Sequence, residues 1–76
     1  MRVYKIVRDG RVFILSHMTG RGVPAPVRID ELRDKKRHGM GWAIDLQSAR
    51  QCVWNELGGG DTQLITADEM IEISEI

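Results

Sequence analysis

"VYKIVRDGRVFILS", residues 3–16, decides the fold, because one short turn fixes the register of everything on either side of it. Asp9-Gly10 lies between two runs of β-branched and aromatic residues. A two-residue hairpin turn of type I′ needs positive φ at both central positions, which aspartate tolerates and glycine prefers. The spacing predicts a hairpin pairing Val7 with Val12, Ile6 with Phe13, Lys5 with Ile14 and Tyr4 with Leu15. Tyr4, Ile6, Phe13 and Leu15 then share a core face, since side chains alternate along a strand. The opposite face carries Val3, Val7, Val12 and Ile14 beside Lys5, more apolar than a wet face requires. It calls for cover by another segment or for use as a binding surface.

Working outward, "AIDLQSARQCVWNELGGG", residues 43–60, predicts the main helix over 45–57. Asp45 is a suitable N-cap, with Ile44 placed to staple onto Ala49, and Ser48 with Gln51 spells a rival capping box. Leu46, Ala49, Val53 and Leu57 fall on one stripe at helical spacing, and Gly58 supplies the stop. Trp54 lies just off that stripe, four residues after Arg50, whose guanidinium is placed to cover the ring.

Residues 17–27 hold two glycines and two prolines and predict a long connector of the kind that is functional or mobile, with an extended run from Pro24 to Val27. "RIDELRDKKRHGMGW", residues 28–42, has a helical reading over 30–38: acids Asp30, Glu31 and Asp34 come early, bases Lys35, Lys36, Arg37 and His38 come late, and Gly39 follows as a cap. Only Ile29 and Leu32 are available to bury, so a turn or an excursion is the competing reading. In residues 61–76, Thr66 and Glu69 suit a capping box. The β-branched content instead predicts strands near 62–66 and 70–75 joined at Ala67-Asp68. The expected architecture is one α+β domain over 1–76, ordered ββ-loop-α-ββ: an antiparallel sheet with the 45–57 helix on one face.

Seventy-six residues with 42% hydrophobic and 29% charged composition describe an ordinary globular domain with a small core. Arg2, Lys5, Arg8, Asp9 and Arg11 interrupt the start, so no signal-peptide core is expected, and no apolar run is long enough to span a membrane. A lone cysteine, Cys52, has no internal disulfide partner and suits a cytoplasmic location. The net charge of zero hides a division. Residues 1–38 hold ten Lys/Arg against four acids, a surplus of six, whereas residues 39–76 hold Arg50 against seven acids, a deficit of six.

His17, His38 and Cys52 are spaced too widely for a local metal motif, and they read as a loop histidine, a helix-terminal histidine and a small buried thiol. Ser16-His17 and Cys52 show no nucleophile elbow, and the GGG and GRG clusters match no nucleotide loop. No enzyme, metal or cofactor is expected. The basic stretch has three readings: a nucleic-acid patch with Arg21 and Trp42, a solvated charged face, or one half of an electrostatic pairing with the acidic C-terminal half. Trp42 and Trp54 read as rim residues of the core or as exposed interface anchors.

In length, lack of catalytic residues and order of elements, the chain resembles the small single-domain proteins that bacteriophages and mobile elements encode to block host machinery. That likeness implies a non-enzymatic inhibitor of a nucleic-acid-handling complex, acting by protein contact, and assigns no residue a role. The residues placed to meet a protein partner are Arg28, Arg33, Lys35, Lys36, Arg37, Trp42, Trp54, Asp68, Glu69, Glu72 and Glu75. The alternative is a DNA- or RNA-binding regulator using residues 28–38. Monomer and homodimer are both compatible with this reading.

Overall fold

The computed structural model describes residues 1–18 and 25–73. Its first element is the expected hairpin: β1 (Arg2–Arg8) and β2 (Arg11–His17) pair antiparallel, with Val7 on Val12, Ile6 on Phe13, Lys5 on Ile14 and Tyr4 on Leu15. Asp9 and Gly10 adopt φ of 53° and 75°, the left-handed pair that a type I′ turn demands. A side chain at Gly10 meets no neighbour, so the cost of Gly10→Val is purely conformational. We expect a loss of about 1–2 kcal/mol or more in a thermal melt, because a β-branched residue resists positive φ. Equal stability of the variant would contradict the turn.

Two further strands extend this hairpin into a meander. β3 (Val27–Arg33) pairs with β2, and β4 (Lys36–Ala43) pairs with β3. Residues 30–38 are therefore a hairpin, and the expected short helix is corrected. Asp34 and Lys35 form its two-residue turn at φ of 54° and 63°, a second left-handed pair without a glycine. The physical reason is burial. Val27, Ile29 and Glu31 alternate onto the core face, and a sheet satisfies that period-two pattern while a helix buries only Ile29 and Leu32. A register shift between Ile29 and Asp30 marks a bulge against β4.

Helix α1 (Leu46–Glu56) follows, with the Asp45 side chain accepting the Ser48 N–H at 2.7 Å. Ala49 and Val53 are fully buried and Leu46 and Leu57 pack at the margin, as the stripe predicts. Ile44 is 74% exposed, so the staple onto Ala49 is not formed. The helix ends at Gly58, φ 89°, where the Gly58 N–H donates to Asn55 O and the Gly59 N–H donates to Trp54 O. These two bonds form a Schellman cap.

The chain then returns along the helix side of the sheet, anchored by the buried Ile65, to a single 3-10 turn (Ala67–Glu69) and β5 (Ile71–Ile73), which pairs antiparallel with β1. The expected strand at 62–66 is absent: that segment contributes one core side chain rather than a ladder. The Glu69 carboxylate instead accepts the Thr66 N–H at 3.0 Å, one half of the capping box read in the sequence. Of the expected 70–75 strand, 71–73 is formed and the remainder lies outside the described residues.

The sheet order is β4-β3-β2-β1-β5, and α1 covers one face of this α+β fold. Ile6, Phe13, Leu15, Val27, Ile29 and Ala43 from the strands meet Ala49, Val53 and Ile65. On the far face Val3 and Ile14 are buried beside Ser16 and Asp30, while Val7 is 52% exposed. Most of the connector read over 17–27 lies outside the described residues. No described helix is long and apolar enough to cross a membrane.

Candidate functional site

The charge division seen in the sequence is partly consumed inside the molecule. Arg11 sends Nε and Nη2 to the two carboxylate oxygens of Glu31 at 2.8 and 2.7 Å, and Nη2 also reaches Glu56 at 3.1 Å. Its guanidinium lies 5.3 Å from the centre of the Phe13 ring. This bidentate clamp ties β2 to β3 and to the end of α1, and it explains how an acid tolerates a core-face position. Arg8 meets Glu69 at 2.8 Å and stands over the Trp54 ring at 5.6 Å. Arg8, rather than the expected Arg50, therefore covers that indole. The Arg50 guanidinium reaches Met70 Sδ instead.

The clamp sets an acid limit on stability. The hydrogen bond from Arg11 holds the Glu31 carboxyl below the ordinary value of 4.5. The Ser48 N–H does the same for Asp45 relative to 3.8. A carboxyl lowered in the folded state contributes stability that is complete above its unfolded pKa and is lost as pH falls through the folded one. We expect a melting temperature that is level from neutrality downward and falls below about pH 4.5. Glu31→Gln should flatten that fall while lowering the neutral-pH melt, and an unchanged acid profile would remove Glu31 from the account.

These internal pairs sort the expected partner-facing residues. Glu69 and Trp54 are structural: one is held by Arg8 and Thr66, the other packs between Arg8, Gly59 and the core. Arg28 lies 3.3 Å from the buried Asp30, and Arg33 lies 3.8 Å from Glu31. Among the described residues neither Asp30 carboxylate oxygen has a hydrogen-bond partner, so this pair is a contact of charges only. Asp68 and Glu72 are exposed at the β5 side, and Glu75 lies outside the described residues. Lys35, Lys36 and Arg37, exposed at the β3–β4 turn, take part in no ion pair among the described residues.

Trp42 is the bare tryptophan, 58% exposed on the outermost strand. It borders a groove of about 420 Å³ between β4 and α1, lined also by Ile29, Met40, Gly41, Cys52, Asn55 and Glu56. Gly41 contributes no side chain to the groove wall, whereas Gly39, opposite Asp30, belongs to the other face of the sheet. Cys52, read as a buried thiol, is exposed here. The groove itself was not legible in the sequence, since it requires residues 40–42 to be a strand beside the helix.

His17 and His38 sit four positions apart along β3, opposite Val27 and Glu31, so they do not converge. Among the described residues no group of three or more His, Cys, Asp or Glu could hold a metal ion. No protein-family model, curated protein or solved structure matches the chain.

Proposed function

We propose that this domain is a non-enzymatic protein-binding module that acts by occupying a surface of its partner. The observation that carries the reading is the β4 edge of the molecule, with the exposed cations Lys35, Lys36 and Arg37 at one end and bare Trp42 beside a groove at the other. Tryptophan is over-represented among interface hot spots. Elsewhere, Arg8, Arg11, Glu56 and Glu69 spend their charge on holding the fold together. The partner surface is therefore acidic, the reverse of a basic groove met by the C-terminal acids. An inhibitor of a larger complex fits this mode of action, and an exposed free thiol suits the reducing cytoplasm.

A second reading is favoured by the charge of the same hairpin. The β3–β4 turn carries Lys35, Lys36 and Arg37, exposed cations that suit a nucleic-acid phosphate backbone. One experiment separates the two. A photoreactive residue replacing Trp42, with a control replacing the exposed Leu64, is irradiated in the cells that make the protein. We expect a nuclease-resistant adduct with one polypeptide from position 42 and none from position 64. Adducts with nucleic acid alone would favour the nucleic-acid reading, and adducts of neither kind would overturn the protein-binding reading.

A further inference from the structure

At one edge of the sheet β4 presents eight residues, Lys36–Ala43. A long unpaired edge displays a row of free N–H and C=O groups, and short strands are one ordinary way of avoiding that.

Ladder alternation identifies which groups are free. The Met18 N–H donates to Pro26 O, and bonded pairs recur at every second residue, so Arg28, Asp30 and Leu32 direct their backbone to β2. Val27, Ile29, Glu31 and Arg33 direct theirs to β4. On β4, Arg37, Gly39 and Trp42, which lie opposite Leu32, Asp30 and Arg28, consequently turn their N–H and C=O outward. Gly39 and Gly41 leave that backbone accessible.

We propose that the outer edge of β4 accepts an extended segment of a partner protein, acidic at the end beside Lys36 and Arg37 and apolar at the end beside Met40 and Trp42, as a sixth strand. This inference rests on the protein-binding reading and names its occupant. Strand addition draws affinity from main-chain bonds and selectivity from pockets for alternate side chains. The groove between β4 and α1 takes apolar side chains on the face of Ile29 and Met40, and Trp42, opposite Arg28, meets those on the other face. Lys36 and Arg37 meet the acidic ones.

The test uses the full chain and a labelled, end-blocked peptide, a run of valine followed by a run of glutamate, which pairs antiparallel with the eight residues of β4. Fluorescence polarisation should show saturation below roughly 1 mM. Binding should weaken at least about tenfold in three cases: N-methylation of every second peptide residue on the bonding edge, replacement of glutamate by lysine, and the exposed double variant Lys36→Glu with Arg37→Glu. Absence of binding, or indifference to N-methylation or to charge reversal, would overturn strand addition. If position 42 still cross-links to a polypeptide in that event, the protein-binding reading survives alone. If a duplex oligonucleotide binds the β4 edge and the peptide does not, both fail.

Discussion

Val53→Asp will abolish the cooperative fold. Val53 is fully buried at the middle of α1, within the cluster that joins the helix to the sheet. A carboxylate there has no partner among the core residues Phe13, Leu15, Ile29 and Ile65, and burying one unpaired costs several kcal/mol. A domain of this length has roughly 4–11 kcal/mol of total stability to lose. Val53→Ala is the control: it removes two methyl groups, costs about 2 kcal/mol and leaves a lower but cooperative melt. Circular dichroism on heating measures both. An aspartate variant melting cooperatively near the parent temperature would show that the stripe does not face the sheet.

Gly59→Ala will cost about 1–3 kcal/mol, for a reason of space rather than backbone freedom. A Cβ built on Gly59 overlaps Cε2, Nε1 and Cδ2 of the Trp54 indole. The ring cannot simply swing away, because Arg8 stands over it and the core lies beneath it. Gly60→Ala meets nothing and should stay within about 0.5 kcal/mol of the parent. In a Trp42→Phe background, the emission of Trp54 should shift to the red only in the Gly59 variant. Equal melts for the two alanine variants would place the tryptophan elsewhere.

The parts of the fold that could be read from residues alone are those in which several local signals agree. At residues 3–16 the turn chemistry, the alternation and the β-branched content all require the same hairpin. At residues 45–58 the cap, the apolar stripe and the terminal glycine agree in the same way. Residues 28–43 fail this criterion. Their order of acids before bases imitates a helix dipole, and their turn, Asp34-Lys35, lacks the glycine that announces such turns. The decisive fact is that Glu31 belongs to the core face. That depends on Arg11, twenty residues earlier in the chain, so no local pattern could disclose it.

The site follows the same logic. Trp42 and the lysines were legible as candidates because their side chains carry the chemistry themselves. The groove and the free backbone edge were not, because they belong to the pairing of strands and to the path of α1. Glu69 shows the converse: it reads as a surface acid until the fold brings Arg8 to it. The spare apolar face, read as covered by another segment or used as a binding surface, exposes less than expected, since Val3 and Ile14 are buried and Val7, Leu32 and Ile71 remain exposed.

The working surface, in this account, is the outer edge of β4. Amide hydrogen exchange, followed residue by residue in the free chain and in complex with the polypeptide captured at position 42, tests that most directly. The N–H groups of Arg37, Gly39 and Trp42 should exchange quickly in the free protein and become strongly protected in the complex, while those of β5 do not change. Protection confined to β5 or to the turn at Asp9-Gly10, with β4 unaltered, would contradict it.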